Sequence, residues 1–322
     1  MSDILVTENI VGDGMTDLRK AFDVVFEPDL HEAPQELLKV ISQFKALVVR
    51  NQTQVDGALV AAADHLRVIG RAGVGLDNID LAAVSKAGIV VAYTPDQNSV
   101  SVAELALALM LGLARNICPA DASTKGGDWL RHEFTGGELF NKTCGIIGMG
   151  RIGFLTAMRA RAFGMDILVH DAFVHPDAAA VTQVCGQMVD MEELFSRSDY
   201  ISCHLPATEK THQSLGYEMF SKMKTTAYFI NTSRGQVVCE DGLIRALTER
   251  KLAGAALDVR QVEPPGRDQL SGMPNVILTP HVGAFTREAQ VRVVQSVCQD
   301  VAGVLIGEAA CNYANFSRPN RK

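Results

Sequence analysis

Cys144-Gly-Ile-Ile-Gly-Met-Gly-Arg-Ile-Gly153 runs from a short apolar, β-branched segment into a glycine triplet and then into the helical pattern of Ile152–Phe163. Gly164 stops that helix, and a second strand-like run, Ile167–His170, ends at Asp171. A glycine triplet alone is weak evidence, but strand before and helix after is the context in which it binds a dinucleotide. Gly148 permits the tight turn, Gly150 lets the backbone approach a pyrophosphate, and Gly153 allows close helix–strand packing. The helix start, Arg151 and Ile152, adds free N–H groups and the positive end of the helix dipole. Asp171, eighteen residues past Gly153, is placed to bond the adenosine ribose hydroxyls. A carboxylate there repels a 2′-phosphate, so NAD is expected over NADP. The plainer alternative is a glycine turn that holds no ligand.

Working outward, short β-branched runs alternate with helical stretches along the whole chain. The first series is Ile4–Val6, Val24–Phe26, Ala46–Val49, Arg67–Ile69 and Ile89–Val91, with helices such as Pro34–Gln43, Val55–Ala63 and Leu81–Lys86. A strongly apolar helix, Ser99–Cys118, follows a turn-rich break near Thr94–Asn98. The second series is Cys144–Gly148, Ile167–His170, Tyr200–Cys203, Tyr228–Asn231, Ala255–Asp258 and Val276–Thr279, six strands in all. Its helices are Ile152–Phe163, Glu192–Ser196, Tyr217–Met223, Glu240–Glu249 and Arg287–Gly307. Such alternation implies parallel sheets covered on both faces, so the expected fold class is α/β with two open, doubly wound parallel-sheet domains.

The 322 residues give a prior of two domains. With 30 basic against 37 acidic residues the net charge is −7, which argues against nucleic acid as main partner. Seven scattered cysteines without a Cys-x-x-Cys pair argue against a disulfide framework and against a metal site. No charged-then-apolar leader precedes Ile4, and the longest apolar run, Leu105–Ala114, is far shorter than a membrane span. A cytoplasmic protein with no membrane partner is the expectation.

In open parallel sheets ligands bind beyond the carboxyl ends of the strands. Reading those positions in the second series yields Gly148–Gly150, Asp171, His204, Arg234, Asp258 and His281; in the first it yields Arg50 and Arg71-Ala-Gly-Val-Gly75. A nicotinamide cofactor implies hydride transfer, which for an alcohol also needs a base and a cation for the oxyanion. His281, with Gly283 and Ala284 leaving room around it, is a candidate base, and Glu263 is the carboxylate that would favour its protonated ring and orient it. Arg234 is the candidate cation, able to hold a carboxylate bidentately. By position alone His204 serves as base equally well.

At these residues the chain resembles the D-isomer-specific 2-hydroxyacid dehydrogenases, and most the phosphoglycerate dehydrogenase branch. The resemblance rests on Val49-Arg50-Asn51 with Thr53, Gly70–Asp80, Asn98–Glu104, Gly148–Gly153, Asn231–Gly235, Gly254–Val259, Glu263-Pro-Pro265 and Thr279–Ala284. It implies that Arg234, Glu263 and His281 form the catalytic trio, choosing His281 over His204. It implies a flavodoxin-like substrate domain (1–98 plus 287–322) and a Rossmann-type NAD domain (99–286). Gly73, Val74 and Gly75 would present backbone N–H groups to the substrate carboxylate. Thr232, Asp258, Gly283 and Ala284 would line the cofactor, with Asp258 fixing the nicotinamide carboxamide. A homodimer is implied, with Trp129–Phe134 resembling a segment that reaches the neighbouring subunit.

The resemblance leaves 3-phosphoglycerate as the leading substrate, with sulfolactate, glycerate/hydroxypyruvate or lactate as alternatives. A non-enzymatic NAD(H)-sensing corepressor is the alternative from another class. Arg50 and Arg71 favour a substrate with a second anionic group, unless they form ion pairs with residues such as Asp77 or Asp80. Relatives usually carry Phe-Glu where Arg260-Gln261 stand here. Arg260 then either serves the substrate's anionic tail or faces solvent.

Overall fold

The computed structural model describes residues 2–320. The chain divides into two compact units, Met1–Asn98 with Phe285–Lys322, and Ser99–Ala284. In the first, β1 (Ile4–Val6), α1 (Asp13–Ala21), β2 (Val24–Phe26), α2 (Pro34–Val40), β3 (Ala46–Val49), α3 (Gly57–Ala62), β4 (Val68–Arg71), α4 (Leu81–Lys86) and β5 (Val90–Ala92) follow in order. All five strands pair in parallel, in the order β2-β1-β3-β4-β5. That is the flavodoxin-like order, with its reversal between β1 and β3.

The second unit holds α5 (Ser99–Ala114), α6 (Ile117–Lys125), β6 (Thr143–Ile147), α7 (Arg151–Ala162), β7 (Asp166–His170), α8 (Ala179–Thr182) and β8 (Gln187–Met188). It continues through α9 (Met191–Arg197), β9 (Tyr200–Cys203), α10 (Tyr217–Phe220), β10 (Tyr228–Asn231), α11 (Glu240–Thr248), β11 (Gly254–Leu257) and β12 (Val276–Leu278). Its sheet runs β12-β11-β10-β9-β6-β7-β8, parallel throughout. Read from β8 this is the dinucleotide-binding order, reversing between β6 and β9. Last, α12 (Arg287–Leu305) rejoins the first unit and lies on α1 and β4. A side chain at Gly70 would collide with Val301 and Val297 of that helix.

Strand alternation builds both cores. Ile4, Val6 and Val48 face one side with Val297 and Val301, while Leu5, Leu47 and Val49 face the other with Leu37, Leu59 and Val84. In the second unit Ile146, Val169 and Ile230 meet Met110 and Ala157. On its opposite face Ile147, Ile201 and Phe229 meet Phe195, Phe220 and Leu243. Side chains buried on both faces explain why the strands read as continuous apolar runs.

The short helix α8 was not expected, and three further elements depart from expectation. The second sheet has seven strands rather than six, because the two-residue edge strand β8 pairs with Leu168 and Val169. So short a strand has no periodicity to read. The helix expected over Ser99–Cys118 stops at Ala114, and α6 starts afresh after Asn116, which is left-handed at φ 53°. Pro119 is the cause: without an N–H, and with a ring that clashes one turn back, it fits only a first turn. Finally, α1 starts at Gly12 without a side-chain cap, so no start signal marked it.

Phe229 is fully buried, its ring 5.0 Å from that of Phe220 at 76°. Phe229→Ala is expected to cost about 3–5 kcal/mol, read by urea denaturation. A change within about 0.5 kcal/mol, the range of surface substitutions, would contradict this packing.

Candidate active site

The glycine loop begins where β6 ends. Gly148 has φ 90°, a left-handed conformation that favours glycine, and its N–H donates to the His170 carbonyl at 2.9 Å. A side chain at Gly153 would collide with the Gly148 carbonyl, so the helix lies directly on the turn. At Gly150, by contrast, a Cβ would meet nothing within 4 Å. Among the three glycines, two are required by the fold and Gly150 leaves open space at the start of α7. The N-cap position is Gly150, which has no side chain to cap that helix, and the helix start presents the positive end of its dipole, a feature that favours an anionic ligand.

Asp171, just past β7, folds its carboxylate back on this loop. One oxygen accepts from Met149 N–H at 2.7 Å, the other from Phe173 and Val174 N–H at 2.8 and 3.1 Å. Oδ2, which accepts only from Met149, has a further lone pair for a hydroxyl donor. Thr232, after β10, has a buried hydroxyl with no hydrogen-bond partner among the described residues. Open space at Gly150, an uncapped helix start, a poised Asp171 and an unsatisfied Thr232 fit a pyrophosphate-linked dinucleotide.

Three of the expected residues converge at the far strands of the same sheet. His281 Nδ1 lies 2.7 Å from Glu263 Oε2. A carboxylate only accepts, so Nδ1 carries the hydrogen and Nε2 is left for other work. Burial pushes the Glu263 carboxyl up, but the bonds from His281 and from Arg260 N–H, with the charges of His281 and Arg234, outweigh it and hold it below its ordinary value. The Arg234 turn is braced by Asn231, whose amide donates to the Arg234 carbonyl at 3.0 Å. Arg234 Nη1 itself donates to the Ser233 carbonyl at 2.8 Å.

His281 sits at φ 53°, in the left-handed region that few residues other than glycine occupy. Asp258, 1% exposed, holds it there. The Asp258 carbonyl accepts from His281 N–H at 2.8 Å. Its carboxylate accepts from Thr279 Oγ1, Val282 N–H and Gly283 N–H at 2.6, 2.8 and 2.9 Å. Asp258 is thus a loop anchor in this structure, and Gly283 and Ala284 belong to the loop it anchors. His204 is half-buried beside Ser202, its Nε2 at 3.0 Å from that hydroxyl. Burial lowers it to about 4, which leaves it neutral near pH 7 and poorly suited to hold a proton there.

In the first unit Arg50 follows β3. Its guanidinium bonds Gln290 and stands 5.9 Å from the Phe285 ring, while its buried Nε has no acceptor among the described residues. Burial lowers the Arg50 guanidinium from its ordinary value, opposed by the charge of Glu8. Asp80, one of the suggested ion-pair partners, caps α4 by accepting from Ala83 N–H at 2.9 Å. Arg71 ends β4, and its guanidinium lies where a side chain on Gly73 (φ 152°) would be. Gly73, Val74 and Gly75 continue that turn, where the Gly73 carbonyl accepts from Thr94 N–H at 3.1 Å.

Two carboxylates escaped the sequence reading. Glu8, 2% exposed, accepts from the backbone N–H of Arg50, Gln52 and Thr53 at 2.8, 3.1 and 3.0 Å, shaping the Arg50 loop. Its position just past β1 was the available signal. Glu240, first residue of α11, accepts from Arg260 and Gln261. Arg260 corrects both expectations held for it. It is 6% exposed, and its guanidinium is taken up by Glu240 and Asp268 rather than by substrate or solvent.

Residues 107–283 match the family model described as D-isomer specific 2-hydroxyacid dehydrogenase, NAD binding domain. The chain is 40% identical over 98% of its length to the D-3-phosphoglycerate dehydrogenase of Synechocystis sp., of which it spans 56%. It is 43% identical over 82% of its length to the hydroxypyruvate reductase of Thermotoga maritima, of which it spans 85%. Among solved structures, the TT0316 protein from Thermus thermophilus superposes with a TM-score of 0.90 at 33% identity, covering 97% of this chain and 99% of that one. Fold, glycine loop and matched residues together define a dinucleotide-binding α/β protein. The chain belongs to the D-isomer specific 2-hydroxyacid dehydrogenases and carries that family's NAD-binding domain.

Asp171 bears on which dinucleotide is held. Asp171→Ala is expected to weaken NADH binding and to narrow the preference for NADH over NADPH, measured by fluorescence titration with each. An unchanged ratio of the two affinities would remove Asp171 from the ribose position.

Proposed function

We propose that the protein is an NAD-dependent dehydrogenase that interconverts a D-2-hydroxy acid and its 2-oxo acid. The observation that carries this reading is the His281–Glu263 pair at 2.7 Å with the Arg234 charge bearing on the same carboxylate. Gly148, Gly150, Gly153, the first turn of α7, Asp171 and Thr232 would hold the dinucleotide. When bound, it supplies or accepts the hydride.

The chain's own residues account for the proton and for the substrate's charge. Arg234 offers a planar fork to the substrate carboxylate and opposes charge developing on the reacting oxygen. His281 gives a proton from Nε2 to the carbonyl oxygen during reduction and takes it back during oxidation. Glu263 fixes the tautomer and the ring plane and favours the protonated imidazole that reduction needs. Asp258 keeps the loop of His281 in its left-handed turn.

Arg50 and Arg71 support a substrate with a second anionic group, for which 3-phosphoglycerate and 3-phosphohydroxypyruvate are the leading pair. At Arg50, a buried Nε with no acceptor is costly unless an anion meets that guanidinium. The name of the Synechocystis relative agrees with that choice, whereas the Thermotoga relative is named for an acid without the phosphate. The reading includes a homodimer: Ile117, Trp129, Leu130 and Phe140 are exposed apolar side chains of the second unit that a second copy would cover. Among the described residues no single helix is long and apolar enough to cross a membrane.

His281→Ala is expected to lower kcat by ~10²–10⁴-fold, as for other lost acid–base groups. Glu263→Gln should retain part of the activity but lose reductive rate at a lower pH than the parent, because the charge that favours the protonated ring is gone. A parent-like pH–rate profile in Glu263→Gln would contradict the pairing. For the substrate, Arg50→Ala should reduce kcat/KM for phosphohydroxypyruvate about ten- to hundredfold more than for glyoxylate, the value of one charge-assisted hydrogen bond of ~1.5–3 kcal/mol. Equal losses on both acids would assign Arg50 to the fold or to the common carboxylate.

A further inference from the structure

The loop that carries Glu263 leaves β11 at Val259 and returns to the sheet at β12, and its geometry is set by charges that the acid–base reading does not use. Arg260 Nε and Nη2 reach the two oxygens of Glu240 at 3.0 and 2.8 Å, and Nη2 also bonds Asp268. Glu240 Oε1 takes a further bond from Gln261 N–H at 2.6 Å. A carboxylate in the first turn of α11 is favoured by that helix's dipole, so Glu240 is a stable post for the loop. Asp268 in turn accepts from Ser271 N–H and Oγ at 2.9 and 2.8 Å, which closes the far end of the same loop.

Two further contacts carry this clamp to the reacting groups. The N–H of Arg260 donates to Glu263 Oε1 at 2.9 Å, while Oε2 of the same carboxylate faces His281 Nδ1. The placement of the Arg260 backbone thereby sets the rotation of the Glu263 carboxylate. On the other side, any side chain at Gly235 would collide with the Arg260 carbonyl group, so the turn that presents Arg234 lies directly against the clamped segment.

We infer that Arg260 and Glu240 are positioning residues for the acid–base pair, a bidentate ion pair that orients Glu263 toward His281. The inference rests on the acid–base reading above. The charged groups facing Glu263 are His281 and Arg234, and those facing Arg260 are Glu240 from α11 and Asp268 from its own loop. The fork-shaped guanidinium fixes its plane against Glu240 through two parallel bonds, and the Gln261 N–H bond to the same carboxylate ties the adjoining backbone to it.

The test is an NMR titration of the histidine ring protons of the full chain, with the His281 signal identified by its loss in His281→Ala, alongside pH profiles of kcat for reduction. Glu263→Gln should move the His281 midpoint to lower pH. Arg260→Met and Glu240→Gln should move it the same way by less, and Arg260→Lys should fall between parent and Arg260→Met. In a Glu263→Gln background Arg260→Met should add no further shift. kcat in Arg260→Met should drop, by up to on the order of a hundredfold for a misplacement near 1 Å, while NADH binding measured by fluorescence is unchanged.

Arg260→Met leaves the half-buried Glu240 and the more exposed Asp268 without their cation, which is destabilising. The charge-balanced combination Arg260→Met, Glu240→Gln, Asp268→Asn therefore serves as a second variant with the same expected shift. If Glu263→Gln moves the midpoint but neither Arg260→Met nor the balanced variant does, the positioning role is overturned and the ion pair serves only the loop's stability. If Glu263→Gln itself leaves the midpoint unmoved, the acid–base reading fails first and takes this inference with it.

Discussion

Burying a carboxylate is tolerable only when its oxygens are engaged, and Asp258 meets that condition by drawing a whole loop onto itself. Its two oxygens accept from Thr279, Val282 and Gly283, and its own carbonyl accepts from His281 N–H. The result is a turn in which a histidine occupies left-handed backbone at φ 53°, a conformation that persists only where the surroundings over-determine it. Take away the carboxylate and nothing else in the described residues holds three donors of that loop in one place. The carboxylate fixes the residues on either side of His281, and the Asp258 and Thr279 carbonyls take its N–H, so that together they aim the ring at Glu263.

The same device recurs in the first unit. Glu8, buried at the end of β1, accepts from three loop amides after β3, and so determines where Arg50 leaves the sheet. Asn78 adds bonds to the carbonyls of Arg50 and Thr53 at 3.0 and 2.7 Å. Both units use a parallel sheet to bring loops to one edge, then a buried acceptor to give one of those loops a single shape. Hydrophobic packing of β-branched strands supplies stability, whereas these acceptors supply direction. Side chains held in this way need little rearrangement when a ligand's charge arrives, which is the physical content of preorganisation.

The Glu240–Arg260–Asp268 cluster extends the pattern to an ion pair. Buried ion pairs roughly break even against apolar packing in stability, and their best-supported use is to specify geometry. In this loop that use is visible, because Arg260 connects α11 to the backbone that touches Glu263 and to the turn that presents Arg234. An apolar residue at 260 would fill the same space without the two guanidinium bonds to Glu240, leaving only the Gln261 N–H bond to join this segment to the helix start.

Much of the architecture was legible along the chain. Strands such as Ile4–Val6, Tyr200–Cys203 and Tyr228–Asn231 are buried on both faces and announce themselves as short β-branched or aromatic runs. The glycine triplet was equally readable, because Gly148 and Gly153 answer local steric demands of the turn and Gly150 keeps the approach to the helix start open. Strand ends then pointed to Arg50, Asp171, Arg234, Asp258 and His281, since parallel sheets gather their loops at one edge. What the residues could not express locally was which acceptor takes which donor. Glu240 and Glu8 look like ordinary surface acids in sequence, and Arg260 like a free cation. Their partners lie 20 and 42 residues away for the bonds Glu240–Arg260 and Glu8–Arg50, so only folding brings them within reach. Local sterics and hydrophobic periodicity are properties of neighbouring residues and were determined by the sequence alone. The pairing of buried charges depends on distances that exist only in the assembled sheets, and there the tertiary structure decided.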